Sequence, residues 1–300
     1  MTAALRGRAA LLAAVRAFFA AQGFLEVCTP VRVRAPAPEE HINAVPAAGA
    51  WLRPSPELHL KRLVAAGHGR IYQLGPCFRH GEVGRRHREE FTLLEWYWAG
   101  AGYLELLAQT EALVAATAHA LAGAAGSLGD GPRVDWTPPF ARVTVDEAFR
   151  RWAGRSPQAA IAAGEFELDL VDKVEPQLPR DRPCFLLDYP IALGALARAK
   201  PDAPAWAERW ELYAAGLELA NAYGELTDGA EQRRRFAAAT AARTAAGHPA
   251  YPTDEAFLAA LDRGLPACAG CALGVDRLLM ALTGATDIAA VLPFPDEPAG

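Results

Sequence analysis

The sequence predicts an α+β fold, a mostly antiparallel sheet flanked by helices, and three observations predict it. Strand-like segments come in pairs, at residues 71–97 and 210–223. Paired hairpins build antiparallel sheets, whereas a doubly wound parallel sheet needs a long crossover after each strand. Other segments repeat apolar residues with a helical period. With 300 residues, 52% of them hydrophobic and 22% charged, the chain has ample material for a large core. No internal repeat is present, and a single domain over residues 1–300 is expected.

Residues 4–22 read as an amphipathic helix, with Leu5, Leu12, Val15 and Phe19 near one face and Gly23 as its stop. Arg6 and Arg8 before an apolar run resemble a secretion signal, but Arg16 ends that run after Val15. No apolar stretch reaches the roughly 18 residues a membrane span needs. Phe24–Cys28 reads as a strand ended by Thr29-Pro30, 35–38 as a loop, and Trp51–Arg53 as a short strand. Pro56–Val64 reads as a helix with Ser55 as N-cap. Ile71–Leu74 and Phe91–Tyr97 are the strands of a hairpin with a charged loop. A helix over 101–122 follows, then a Gly-rich break from Gly123 to Pro132. The stretch 133–200 shows one clear strand, Cys184–Pro190. Trp210–Ala214 and Leu217–Tyr223 are strands turning at Ala215-Gly216. Asp228 with Glu231 makes a capping box for a helix to about Ala246. Gly270–Gly274 is a strand and Val275–Leu282 a helix.

The net charge of −5 and isoelectric point of about 5.8 imply no broad basic surface, so tight binding to bulk nucleic acid is disfavoured. Five cysteines, an odd count, and the absence of a secretion signal point to a reducing cytoplasm. Cys268 and Cys271 form a lone CxxC. No second pair completes a zinc site, so small buried residues leading into a strand is the favoured reading.

Three constellations carry chemistry. Arg79 lies where a strand opens into a loop holding His80, Arg85, Arg86, His87 and Arg88. An Arg there clamps phosphate bidentately, although a single loop Arg is more often a solvated charge. Phe91, just beyond, offers an apolar face to a base, or is an ordinary strand-core ring. Glu218 and Glu225 flank one apolar strand. Two such acids suit Mg²⁺, which takes oxygen ligands and bridges phosphates. Seven residues apart, they face opposite sides of a regular strand unless Gly224 supplies a bulge. Two surface acids on a half-exposed sheet is an equal alternative. Gly274-Val275-Asp276-Arg277 places a Gly turn before a helix whose first turn holds an Arg, against the helix dipole.

Together these segments resemble the three motifs of class II aminoacyl-tRNA synthetases. Gly23–Pro30 resembles motif 1, Phe78–Tyr97 motif 2, and Gly270–Leu278 motif 3. The Arg86-His87-x-x-Glu90-Phe91-Thr92-x-x-Glu95-x-Tyr97 run is similar to the lysyl subgroup. Ser55–Leu63 and Gly216–Asp228 narrow the resemblance to the elongation factor P–(R)-β-lysine ligase family, also called GenX or PoxA, over nearly the whole chain. The motif 1 helix begins near Met1, which leaves no room ahead of it for an anticodon-binding domain of roughly 100 residues. Ala272 stands where lysyl-tRNA synthetases have Gly, a change that goes with (R)-β-lysine in the ligase family.

The resemblance implies a cytoplasmic homodimer joined through motif 1. It would activate (R)-β-lysine or lysine with ATP and Mg²⁺ and pass the acyl group to a lysine of elongation factor P, with tRNA an unfavoured acceptor. It places Ser55, Glu57, Tyr97 and Glu225 around the lysine, with Glu95 as a further acid and Ala272 on the pocket floor. Arg79 would hold the α-phosphate, and Phe91 and Arg277 would sandwich adenine. Glu82, Arg88, Leu219 and Gly274 would touch ATP, and Glu218 and Glu225 would hold Mg²⁺. Three positions depart from the family pattern: Gly81, Arg88-Glu89 in place of Asn-Pro, and Gly224. The other readings are a stand-alone synthetase acylating tRNA or another carrier, an adenylate-forming biosynthetic paralogue, and a non-catalytic regulatory paralogue.

Overall fold

The hairpin with the charged loop seeds a sheet that the rest of the chain extends on both sides. The structure, a computed structural model, describes residues 2–122 and 128–295. In chain order the main sheet takes β1 (Leu25–Glu26), β2 (Arg70–Phe78), β3 (Glu90–Ala99), β4 (Ala141–Thr144), β5 (Cys184–Leu187), β6 (Arg209–Ala214), β7 (Leu217–Gly224) and β8 (Cys268–Gly274). In space they run β1-β2-β3-β8-β7-β6-β5-β4. The outermost pairs, β1 with β2 and β4 with β5, are parallel, and every other pair is antiparallel. The longer helices are α1 (Thr2–Ala21), α2 (Glu57–Ala65), α3 (Tyr103–Leu121), α4 (Gly229–Ala245), α5 (Glu255–Gly264) and α6 (Val275–Thr283).

One face of the sheet is buried under α1, α3 and α6. Leu11, Val15 and Phe19 of α1, Leu106, Leu107 and Leu113 of α3, and Leu278 and Leu279 of α6 pack there with Trp96, Trp210 and Leu273 of the strands. The two indoles are satisfied inside this core: Trp96 Nε1 donates to Gln109 Oε1 (2.9 Å) and Trp210 Nε1 to Tyr103 O (2.8 Å). The other face stays open. Helices α2, α4 and α5 form a second cluster at one side of it, around Leu60, Phe236 and Phe257. Short helices between Val145 and Gln177 form a third, around Phe149, Phe166 and Tyr189. The middle of the uncovered face becomes a cleft.

Several expectations are corrected by packing. The buried face of α1 is Ala4, Leu11, Val15 and Phe19, whereas Leu5 is exposed and Leu12 only partly covered. The Phe24–Cys28 strand shortens to β1, an edge strand with one neighbour. Ser55 lies one residue outside the cap position, yet its Oγ still accepts from the Glu57 N–H at 3.0 Å. Only half of the Asp228 capping box forms: Asp228 Oδ1 accepts from the Ala230 and Glu231 N–H groups, while Glu231 turns to Arg234 and Arg235. Ala215 and Gly216 turn the β6–β7 hairpin with φ of +55° and +75°, the type I′ pattern that matches strand twist. β4, the short helices after it and α5 were not legible in the sequence. Residues 123–127 of the expected Gly-rich break lie outside the described residues.

Cys268 and Cys271 settle the CxxC. Three residues apart on β8, they face opposite sides of the sheet, Cys268 into the α2–α5 cluster and Cys271 into the helix-covered core. They share neither a bond nor a ligand site, and all five cysteines are free.

Arg53 fastens the motif 1 segment to β2. It is 2% exposed, and its guanidinium donates to Thr29 O and Oγ1 (both 2.9 Å) and twice to Pro76 O (3.2 and 3.0 Å). Arg53→Met strands these buried carbonyls without a donor. It should lower stability by about 3 kcal/mol, read as a lower denaturant midpoint at unchanged slope.

Candidate active site

The cleft exists because β8, at the centre of the sheet, presents only small residues to it. Its inward positions Ala269, Cys271 and Leu273 fill the core, and the alternating Gly270, Ala272 and Gly274 line the cleft floor. Registry then builds the walls. Ala272 lies between Glu95 of β3 and Asn221 of β7, with Glu211 of β6 beyond. Gly270 lies between Tyr97 and Tyr223. A Cβ on Gly270 would stand 2.6 Å from Tyr97 Cδ1 and 2.5 Å from Glu225 Oε1, so Gly is required there. The cavity measures about 930 Å³, enough for a nucleotide and a small amino acid together.

One end is acidic and buried. Ser55 Oγ and Tyr97 Oη both donate to Glu95, at 2.8 Å each. Lys61, 1% exposed, bridges Glu57 (2.5 Å) and Glu225 (2.6 Å). Burial pushes the Glu95 carboxyl up to about 8, with Glu57 adding to it. Glu225 is pushed to about 7 by burial, which the Lys61 ammonium only partly offsets. Glu225 Oε1 has no hydrogen-bond partner among the described residues. Three carboxyl groups stand around one ammonium here, so two carboxyls are left without a protein cation to match them.

The other end is basic. The Arg79 guanidinium lies 5.1 Å from the Phe91 ring centroid and 3.7 Å from Glu82, and its buried Nε has no partner. Arg277 reaches from the first turn of α6 to Glu218, by its carbonyl at 3.0 Å and its carboxylate at 3.4 Å. On its other side it meets His87 and the Arg86 carbonyl of the motif 2 loop. Next to Arg277, Asp276 ties three elements together, accepting from Arg8 of α1 (2.6 Å) and from the Thr92 N–H of β3 (2.7 Å). Arg88 donates to Gly84 O (2.6 Å) and His87 O (2.9 Å), bracing its own loop at the cavity wall.

Ser55, Glu57, Tyr97, Glu225 and Ala272 thus meet at one end, and Arg79, Glu82, Arg88, Phe91, Glu218, Leu219, Gly274 and Arg277 at the other. The Phe91 ring carries the Arg79 guanidinium over it, and Arg277, expected on the other face of a bound adenine, is engaged with Glu218 and His87. One expectation fails. Glu218 and Glu225 do not form one metal pair. The strand bulges at Leu219, since Ala220 faces Leu212 while Glu218 faces Tyr213, and Gly224 keeps regular register. The bulge does turn both acids to the cleft, but roughly 20 Å of strand separates them. Gly224 instead makes room for Glu208, whose Cβ would lie 2.9 Å from an added Cβ.

Glu218 fits a phosphate-bridging Mg²⁺. Its side chain is 41% exposed to the cleft, and Glu211 adds to the local negative field. Glu211 itself is engaged by Tyr189, Tyr213 and Arg209. No cluster of three or more metal-binding side chains exists among the described residues; a hard cation held by Glu218 would take further oxygen ligands from outside the protein. Sequence reasoning missed Lys61, Glu211 and Asn221. Lys61 sits four residues after Glu57, a spacing that signals a helical ion pair but not its burial.

A mostly antiparallel sheet whose cleft joins a basic nucleotide-sized end to an acidic end defines a class II synthetase catalytic domain. The profile of the class II tRNA synthetases (D, K and N) matches residues 1–298, and the chain belongs to that family. The lysine–tRNA ligase of Anaeromyxobacter sp. (strain K) is 38% identical over 96% of this chain, which spans 64% of that enzyme's length. The elongation factor P–(R)-β-lysine ligases of Hamiltonella defensa and Proteus mirabilis are 37% and 38% identical and are covered over 94% and 93% of their lengths.

Two outcomes test this geometry. Gly270→Ala drives a methyl into Tyr97 and Glu225, and should abolish amino-acid binding while leaving nucleotide binding within about threefold, as calorimetry would measure. With Glu95 and Glu225 held near 8 and 7, a bound ammonium lowers both and expels protons at pH 7. The binding enthalpy of a diamino acid should therefore vary with the ionisation enthalpy of the buffer, and Glu95→Gln should reduce that dependence.

Proposed function

We propose that the protein activates (R)-β-lysine, or lysine, with ATP and transfers the acyl group to a lysine side chain of elongation factor P. The observation that carries this reading is the charge count at the acidic end. Glu57, Glu95 and Glu225 against Lys61 leave two carboxyls, which a substrate with two ammonium groups neutralises. The names of the relatives covered over most of their length support the acceptor.

The substrate's carboxylate is already a nucleophile, so the first step requires no general base. Glu57, Glu95 and Glu225 fix the ammonium groups and aim the carboxylate toward the basic end. Arg79 swings from Phe91 onto the α-phosphate, and Arg277 neutralises charge that builds on the phosphates in the in-line displacement. Phe91 offers its ring to the base. Glu218 would hold Mg²⁺, which supplies charge neutralisation on the phosphates when bound. The products of this step are an acyl-adenylate and pyrophosphate. Ala272 adds a methyl to the floor beside Glu95, where a shift of the amino group from the α to the β carbon changes the fit.

A homodimer through the motif 1 region fits the exposed Leu5 and Leu25, the latter on an edge strand. A reducing cytoplasm fits the five unpaired cysteines, and no helix among the described residues is long and apolar enough to cross a membrane.

ATP–pyrophosphate exchange tests the activation step. It should require Mg²⁺ and run faster with (R)-β-lysine than with α-lysine. Arg79→Ala and Arg277→Ala should each slow it at least about a hundredfold, ~2.7 kcal/mol. Ala272→Gly should move the ratio of kcat/KM values toward α-lysine, within the roughly 1–3 kcal/mol that one carbon commands. No exchange with any lysine isomer would refute activation. Mass spectrometry of elongation factor P and acid-gel analysis of tRNA after incubation would separate the acceptors; charged tRNA beside an unmodified factor would reverse the assignment.

A further inference from the structure

Residues 37–42 form a wall of the cleft between its two ends, and their backbone is pinned from behind. Arg243 of α4, fully buried, donates to Glu39 O (2.5 Å), to Ile42 O (2.8 Å) and to Asn43 Oδ1 (2.9 Å). Its guanidinium stacks 4.4 Å from the Tyr251 ring centroid, and Tyr251 Oη accepts from the Ala44 N–H at 2.8 Å. The His80 N–H donates to Asn43 O (2.7 Å), which joins this loop to the motif 2 loop. All of these bonds hold the segment through its backbone or through Asn43. The Glu39 carboxylate takes part in none of them and has no hydrogen-bond or ion-pair partner among the described residues.

The segment runs from Ala37, beside Ser55 and Glu57, to Asn43, which is bonded to His80 next to Arg79, so Glu39 stands between the two ends of the cleft. The charges of Glu57, Arg79, Arg209 and Lys61 all reach its carboxylate. A group placed between the ammonium anchors and the α-phosphate clamp stands beside the acyl carbon of an acyl-adenylate. We propose that Glu39 is the base that deprotonates the acceptor amine in the transfer step, an assignment that rests on the adenylate-forming reading above. An alkylammonium gives one proton to the Glu39 carboxylate, and the freed nitrogen lone pair attacks the acyl carbon. The C–N bond forms, and the bond from the acyl carbon to the phosphate oxygen breaks with its electrons leaving on AMP. The second amine proton departs with the AMP phosphate. Burial and the Glu57 charge push the Glu39 carboxyl up to about 7, against Arg79, Arg209 and Lys61, which suits a base working near neutral pH.

The test uses the full chain and two nucleophiles. Acyl-adenylate is formed on the enzyme with (R)-β-lysine and ATP, then chased in a single turnover with n-butylamine or with hydroxylamine. Butylamine is protonated at neutral pH and needs a base, whereas hydroxylamine is already unprotonated. Glu39→Gln should slow transfer to butylamine about a hundredfold and leave both hydroxylamine transfer and ATP–pyrophosphate exchange within about threefold of wild type. Equal loss with both nucleophiles, or no loss with butylamine, overturns the assignment. A raised KM for the amino acid in exchange makes Glu39 an amino-group anchor and also overturns it. Absence of exchange in the wild type refutes the adenylate reading itself, and this assignment with it.

Discussion

The cleft depends on one constraint: the central strand must show nothing bulky on its open face. Gly270, Ala272 and Gly274 satisfy it while Ala269, Cys271 and Leu273, on the same seven-residue strand, fill the core. Every wall of the site is placed relative to that strand by hydrogen-bonded register. Glu95 and Tyr97 stand on one side, and Asn221 and Tyr223 on the other. A slip of one residue would put core side chains in the cleft and leave holes in the core. The helices on the far face make such a slip costly, because Leu278, Leu279 and Trp96 interlock against the same strand.

Within that frame, the acidic end is held in a state that a ligand completes. Burying Glu57, Glu95 and Glu225 together is unfavourable, and Lys61 offsets only part of the cost. Glu95 and Glu225 respond by holding protons at pH values where exposed carboxyls would be ionised. The basic end solves the opposite problem by internal pairing, Arg277 with Glu218 and Arg79 over Phe91. Opposite charges at the two ends suit a ligand that carries cations at one end and anions at the other. Asp276 couples the two halves mechanically, since it joins α1, β3 and α6 at the base of the nucleotide end.

The sequence by itself determined the α+β class and the hairpins, which follow from local signals: period-two strands, Gly turns such as Ala215-Gly216, and dense charge in one loop. The three motifs and a minority of the cleft lining were legible through the family resemblance. Only the tertiary structure decided which charges meet. Glu225 was legible as a site residue, yet its partner Lys61 lies on α2, 164 positions away in sequence, and pairs with it only because α2 packs against β2 and β3 of the same sheet. The bulge at Leu219 was equally hidden, because Gly224 was the better local signal and register is fixed by β6 and β8 rather than by the strand's own residues. Glu39 drew no attention in a proline-rich loop. Its place in the cleft comes from Arg243, more than 200 residues later, which holds the loop by its carbonyls. Local periodicity is written in neighbouring residues, but buried ion pairs and strand register are set by what packs across the fold.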